Sequence, residues 1–246
     1  MTDRRTALIT GASRGIGRAI AQRLAAEGFD LTVSARAEGP LKEAAGQLRA
    51  YGHRVEAVTA DMADETQVET LAQAHLDRHD NLDVLVLAAG VGMGGELSGY
   101  PLHRLDTMFT VNLRGPLLLV QQLLPALRAA GSSPSGLGAK VIAIASITGV
   151  ASEPGLAAYG ATKAALISLC ESITVAEGER GVSATALSPG YVDTDMTAWV
   201  HDRIDPTEMI RTDDIAELAL SISRLSRHAA VPNVVVTRAG GPLWRA

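Results

Sequence analysis

Seven short apolar runs, separated by longer stretches of helical period, most constrain the fold open to this chain. The first three units read TALIT then RAIAQRLAAEG, DLTVSA then LKEAAGQLRAYG, and RVEAVTA then ETQVETLAQAHLDRH. LDVLVLAA, KVIAIAS, VSATALS and NVVVTRA continue the series. Strands joined through helices need crossover connections, which leave neighbouring strands parallel and cover both faces of the sheet. The central runs are apolar on both faces, as that burial demands. The sequence therefore predicts an α/β chain, one doubly wound domain over residues 1–246 with a seven-stranded, mainly parallel sheet. GSSPSGLG at 131–138 reads as a surface connection before the fifth strand and not as a linker between domains.

Composition narrows the partners. The chain is 47% hydrophobic but only 3% aromatic, which calls for a core of Ala, Val, Leu and Ile. A net charge of −5 with both signs interspersed argues against nucleic acid and against an anionic membrane surface. No apolar stretch approaches the roughly 20 residues that span a bilayer. The first residues, MTDRRTALITGAS, turn into a strand too early and are too polar for a signal peptide. Cys170 is the single cysteine, so no internal disulfide forms. A reducing, cytoplasmic location and an inert core role fit it. The six histidines share no metal-ligand spacing and read as surface or cap residues.

The first strand runs into Thr10-Gly11-Ala12-Ser13-Arg14-Gly15-Ile16-Gly17 and then a helix. Glycines there allow a tight turn and a close approach of backbone to a pyrophosphate, while the helix N-terminus offers unpaired N–H groups and a positive dipole end. The second strand ends at Arg36, where a dinucleotide fold presents the adenosine ribose. No acidic residue stands there to bond a ribose 2′-hydroxyl. Arg36 and Arg14 instead suit a 2′-phosphate, against the alternative of two solvated arginines. Asp61, after the third strand, either meets an adenine amino group or caps the next helix.

Tyr159 and Lys163 stand four residues apart in AAYGATKAALISL, and Ser146 lies upstream in VIAIASITG. On a helix that spacing places phenol and ammonium on one face. A nearby cation lowers a phenol pKa from its usual value of about 10 towards the working range of an acid/base group. Ser146 can hydrogen-bond a substrate oxygen. By spacing alone, the Tyr/Lys pair is also what an ordinary exposed helix carries.

Taken together, these residues resemble the classical short-chain dehydrogenase/reductase family. The resemblance covers nearly the whole chain: Thr10-Gly11-x-x-x-Gly15-x-Gly17, Asp61, Ala89-Gly90, Asn112, Ser146, Tyr159-x-x-x-Lys163, and Pro189-Gly190 with Thr194. It implies a Rossmann-type fold and hydride transfer between a nicotinamide and a small carbonyl or alcohol substrate, and with the Arg14 and Arg36 pair the expected cofactor is NADP(H). It also implies that Tyr159 exchanges a proton with the substrate oxygen, Lys163 binds the nicotinamide ribose, Ser146 orients the carbonyl and Asn112 holds a relay water. Gly11, Ser13, Arg14, Gly15, Ile16, Gly17, Arg36, Asp61, Met62, Ala89, Gly90, Pro189, Gly190, Val192 and Thr194 would complete the cofactor site. Residues 191–209 would form a substrate lid. The helices LLLVQQLLPAL and AALISLCESITV would pair across subunits in a homotetramer or homodimer, although by sequence they could equally be buried internally. Reduction of a 3-oxoacyl thioester, or nucleotide binding without catalysis, are the alternative functions.

Several positions carry separate expectations. Pro116 cannot donate the backbone bond that would satisfy the Asn112 carbonyl, so the helix should break there, either freeing that carbonyl or merely bending. Leu87-Ala88 stand where the family usually has Asn-Asn, which puts the local geometry beside the cofactor in question. Met196, Trp199 and Val200 either line an apolar substrate pocket or pack as ordinary helix. Val91, Met93, Ile147, Thr148 and Val150 would form the opposite wall, favouring a neutral substrate. Thr212-Asp213-Asp214 reads as a helix start. Trp244 is either a core plug or a subunit contact, the plug being favoured.

Overall fold

The computed structural model describes residues 4–241. Its sheet is seven-stranded, in the order β3-β2-β1-β4-β5-β6-β7. The strands are β1 (Thr6–Thr10), β2 (Asp30–Ala35), β3 (Val55–Thr59), β4 (Val84–Leu87), β5 (Ala139–Ile144), β6 (Val182–Pro189) and β7 (Asn233–Val236). Every pairing is parallel, so "mainly parallel" becomes wholly parallel among the described strands. Each predicted run overlaps its strand. The order reverses between β1 and β4, and a crevice at the carboxyl ends of the strands there is where such sheets bind ligands.

Helices cover both faces. On one side α1 (Gly15–Ala26), α2 (Glu38–Arg49) and α7 (Thr212–Ser223) bury Ile20, Leu24, Leu41 and Ile215 against Ile9, Val33 and Val86. On the other, α3 (Glu65–Leu76), α5 (Gly115–Gly131) and α6 (Ala157–Glu177) bury Leu71, Leu123 and Cys170 against Leu8, Leu85 and Val141. The apolar faces of α5 and α6 thus lie largely in the second core, leaving Leu117 and Val175 exposed. Burial pushes the Cys170 thiol up to about 12, which suits an inert core residue. α7 begins at Thr212 as expected, with Arg211 and Asp214 closing its first turn.

One helix is interrupted where Pro116 predicts. The helix α4 (Leu102–Phe109) passes into a π turn over Thr110–Arg114 before α5 begins. Proline at 116 lacks the N–H of an α-helical bond to residue 112, and the wider turn takes up the mismatch, with Thr110 accepting from the Gly115 N–H.

His75 overturns the surface expectation for the histidines, because it is wholly buried on α3. The Asn81 carbonyl can only accept, so Nε2 carries the proton and donates to it at 3.2 Å, while Nδ1 lies 2.9 Å from the Thr32 hydroxyl. The helical spacing of His75 from Val68, Leu71 and Ala72 puts it on the buried face of α3, but nothing local in the sequence names its partners. Burial lowers its pKa from 6.5 to about 4, so the folded chain keeps the ring neutral while the unfolded chain takes up a proton. Stability from this ring is therefore present above pH 6.5 and lost as pH falls towards 4, a shift worth about 3 kcal/mol. His79, also lowered by burial, adds in the same direction. Urea unfolding between pH 7 and 5, above most carboxylate titration, should show declining stability in the wild type and a shallower decline in His75→Gln.

No helix among the described residues is long and apolar enough to cross a membrane. No group of three His, Cys, Asp or Glu side chains among them is placed to hold a metal. Trp244 lies outside the described residues.

Candidate active site

A cleft of about 1220 Å³ opens at the carboxyl ends of the strands. All of Gly11, Ser13, Arg14, Gly15, Ile16, Gly17, Arg36, Asp61, Met62, Ala89, Gly90, Pro189, Gly190, Val192 and Thr194 line it, together with Ser146, Tyr159 and Lys163. Asn112 does not line it. Residues as far apart in sequence as Arg14 and Asp195 meet here because every strand ends on the same side of a parallel sheet.

The glycine turn packs closely against the β4 loop and the start of the lid. Gly11 has φ +68°, and a Cβ added there would come within 2.8 Å of the Ala88 carbonyl carbon. Gly15 has φ +54° and faces Thr194, whose methyl would lie 3.3 Å from a Cβ added at that glycine. α1 starts at Gly15 without a side-chain cap from Arg14, so its first N–H groups stay available at the cleft. This cradle fits a dinucleotide pyrophosphate.

The loop after β4 is fixed without the usual asparagines. Thr10 Oγ1 receives the backbone N–H groups of Ala88 and Ala89, each at 3.1 Å, and lies 3.3 Å from the Val86 carbonyl oxygen as donor. Asn112 holds the next residue: its Oδ1 accepts from the Val91 N–H at 2.9 Å, and its Nδ2 donates to the Val91 carbonyl at 2.9 Å and to Thr162 Oγ1 at 3.0 Å. The Asn112 side chain is thereby committed to clamping the β4 loop against α6.

Ser146 and Tyr159 meet at the inner wall. Ser146 follows β5, and its Oγ accepts from the Thr148 N–H at 3.2 Å and the Thr148 hydroxyl at 2.9 Å. With both acceptor positions filled, the serine proton points elsewhere. It is within hydrogen-bonding reach of the Tyr159 phenol. Tyr159 is half-buried on the first turn of α6, with its ring against Gly92. One turn further on, Lys163 Nζ donates to the Ile144 carbonyl at 2.8 Å and lies 5.6 Å from the Tyr159 ring centroid.

The pKa pattern differs from the simple expectation. Burial pushes the Tyr159 phenol up to about 12, with the Ser146 hydrogen bond pulling it back, and lowers Lys163 to about 8. At this distance, and with one of its N–H groups given to Ile144, the ammonium does not outweigh the loss of water around the phenol. Both groups are held in the enclosed wall of the cleft, where charge on either is costly.

The structure decides between the alternatives that the sequence leaves open and moves part of the expected wall. Asp64, not Asp61, caps α3, with Oδ1 accepting from the Gln67 N–H at 3.2 Å. Asp61 turns instead to the Ala63 N–H and to Arg36, 3.9 Å away, at the adenosine end of the cleft. Arg14 is paired with Asp195 at 2.9 Å. In the lid, Val200 is fully buried with Tyr191 and Met209 in a small core of its own and does not face the cleft. Met196 and Trp199 do line it. On the opposite wall only Val91 and Thr148 of the expected residues reach the cleft. Ile147 is buried in the fold, Val150 points outward, and the Met93 backbone is tied to the Tyr100 hydroxyl. The polar duties of Thr10, Thr148 and Thr162 escape sequence reasoning, as does the place of Glu153 and Tyr191 in the wall. Only the two-residue spacing of Ser146 and Thr148 offers a local clue.

The profile of the short chain dehydrogenase family matches residues 5–205. The chain belongs to this family. A 3-oxoacyl-acyl-carrier-protein reductase of Staphylococcus aureus is 33% identical over 201 residues, covering 81% of this chain and 79% of that protein. Among solved structures, the Pseudomonas aeruginosa RhlG/NADP active-site complex shares 31% identity and a TM-score of 0.86, covering 96% of this chain and 95% of the other. A Thermococcus sibiricus alcohol dehydrogenase complexed with 5-hydroxy-NADP has a TM-score of 0.87 at 27% identity, over 98% and 99% of the two chains. As a short-chain dehydrogenase, this chain is an oxidoreductase of the nicotinamide-dependent class with a Rossmann-type fold.

Proposed function

We propose that the protein is an NADP(H)-dependent carbonyl reductase, able to run in the alcohol-oxidising direction, in which Tyr159 carries the proton. One observation carries the reading: Ser146, Tyr159 and Lys163 line one end of the same cleft whose other end is the glycine turn. A bound nicotinamide would supply or accept the hydride. The chain's own part is positioning and proton handling. Ser146, with its oxygen filled by Thr148, donates to the substrate oxygen. Tyr159, kept protonated by burial, donates the proton that turns the developing alkoxide into alcohol. Lys163, anchored to Ile144, holds a cation behind the phenol and a donor towards the ribose. Asn112 acts through its clamp on Val91, and any water relay would use its backbone carbonyl at the π turn.

Arg14 and Arg36 at the adenosine end support NADP(H) over NAD(H), as does the absence of an acidic residue at the end of β2. NADP-bound neighbours agree with this preference, although a Brucella melitensis 3-oxoacyl reductase of TM-score 0.86 holds NAD. The named reductase relatives favour a 3-oxoacyl thioester as the second reading.

NADPH oxidation against a panel of ketones, aldehydes and 3-oxoacyl thioesters tests both readings. Consumption with simple ketones or aldehydes is expected; consumption with thioesters alone selects the second reading. No consumption with any carbonyl, despite NADPH binding, would leave a nucleotide-binding protein without this activity.

A further inference from the structure

We propose that Glu153 and Tyr191 form the substrate-selecting end of the cleft, and that the preferred substrate is a carbonyl compound bearing a hydroxyl or ammonium group near the carbonyl. The inference rests on the reductase reading and adds the substrate class to it. Glu153 sits in the loop between Ser146 and α6, so it is carried by the segment that joins two reacting side chains. Tyr191 directly follows Gly190, at the start of the lid. Both line the cleft. They meet across it, the Tyr191 phenol donating to Glu153 Oε1 at 2.6 Å.

The direction of that bond is fixed chemically. Burial and the adjacent carboxylate push the Tyr191 phenol up, so it keeps its proton and Glu153 is the acceptor. A carboxylate offers about four acceptor sites over its two oxygens. Here Oε2 is shielded from solvent and has no hydrogen-bond partner. An enclosed carboxylate oxygen without a donor is unfavourable, and a ligand that brings one removes the deficit. Oε1 keeps a second acceptor site beside the Tyr191 bond, and because the terminal torsion of a glutamate is broad, an exchange of the two oxygens would turn Oε2 to the cleft while the other takes the phenol.

The lid holds this acceptor in place. The Tyr191 ring lies edge-on to Trp199 at 5.9 Å, and Val200 and Met209 pack beside Tyr191 in the lid's small core. Arg203, stacked 5.0 Å over Trp199, approaches the phenol and not the unpartnered carboxylate oxygen. The wall that the sequence presents as neutral therefore contains an acidic acceptor. It favours hydroxyl and ammonium substituents and repels carboxylate and phosphate ones.

Matched small carbonyls test the assignment: hydroxyacetone, aminoacetone, butanone and pyruvate, each reduced with NADPH by the wild type, Glu153→Ala, Glu153→Gln and Tyr191→Phe. NADPH binding to each variant confirms that it folds. The wild type should prefer hydroxyacetone and aminoacetone to butanone by at least about tenfold in kcat/KM, chiefly through KM, with pyruvate poorest. Glu153→Ala should bring the hydroxyacetone-to-butanone ratio close to one. Glu153→Gln should cut the aminoacetone preference more than the hydroxyacetone preference, because it removes charge but keeps an acceptor. Tyr191→Phe should reduce both preferences by loosening the carboxylate. Equal ratios in wild type and Glu153→Ala would overturn the inference while leaving the reductase reading intact. If the wild type reduces none of the four, calorimetric binding of 1,2-propanediol, 1-amino-2-propanol and 2-butanol to the NADP⁺-loaded protein decides separately. Donor-dependent binding that Glu153→Ala abolishes sustains the inference, and indifference to the donor overturns it.

Discussion

Tyr159→Phe is expected to lower turnover by roughly 10²- to 10⁴-fold, the range for loss of a positioned acid/base group, while NADPH still binds. The ring would remain against Gly92, so the wall keeps its shape and only the proton carrier goes. Single-turnover reduction measured beside an NADPH titration separates the two effects; near-normal turnover would refute the role given to Tyr159. The wild-type pH profile adds a second constraint. Tyr159 at about 12 stays protonated throughout neutral pH, so its own titration does not limit the reductive direction. Lys163 at about 8 does titrate within reach. Reduction should hold steady below about pH 8 and fall above it as the ammonium loses its charge. The same shifts affect stability: an ammonium pKa below its unfolded value of 10.5 means that the unfolded chain binds more protons between about 8 and 10.5, so stability from this group rises across that window.

What the sequence makes legible follows from which interactions are local. TALIT, DLTVSA and VSATALS are buried at every position in the structure, and short runs rich in Val, Leu, Ile, Ala and Thr between helical stretches advertise such strands. The glycine turn is readable because Gly11 and Gly15 need positive φ and close backbone approach, properties that few other residues supply. The Tyr159/Lys163 face is readable from helical spacing. By contrast, Thr10 reaches Ala88 and Ala89, 78 and 79 residues away, and no periodicity announces a threonine hydroxyl that accepts from two backbone N–H groups. Asp61 and Asp64 are both followed by a helix, and only the Gln67 N–H contact distinguishes the cap. Whether Val200 lines the cleft or packs is left open by the sequence because the lid's separate core, built with Tyr191 and Met209, depends on how residues 191–209 fold back. That return is made by a bridge between Val192 and Ile210, eighteen positions apart. The acidic acceptor at Glu153 is hidden for the same reason, since its partner Tyr191 is supplied by a different loop.

Arg36→Asp is expected to weaken NADPH binding by about 100-fold and leave NADH binding the same or tighter. Arg36 is 78% exposed at its side chain, with Asp61 3.9 Å away as its ion-pair partner, so it is available to a 2′-phosphate and held in direction by a single weak contact. A charge-assisted hydrogen bond contributes about 1.5–3 kcal/mol, which by itself gives roughly 10- to 100-fold. Replacing cation by anion adds repulsion of the phosphate, and an acidic residue at the end of β2 is also the group that bonds a free ribose 2′-hydroxyl. Arg14 should matter less in the same assay. Its guanidinium is already engaged by Asp195 at 2.9 Å, and a 2′-phosphate would have to compete for it. Asp195→Asn releases that cation and should therefore tighten NADPH relative to NADH, opposite in sign to Arg36→Asp. Fluorescence titrations of both cofactors against the three proteins measure the ratio directly. An unchanged ratio in Arg36→Asp would place the phosphate elsewhere, and a loosened NADPH in Asp195→Asn would mean that the Arg14 pair orients the cation for the cofactor and does not compete with it.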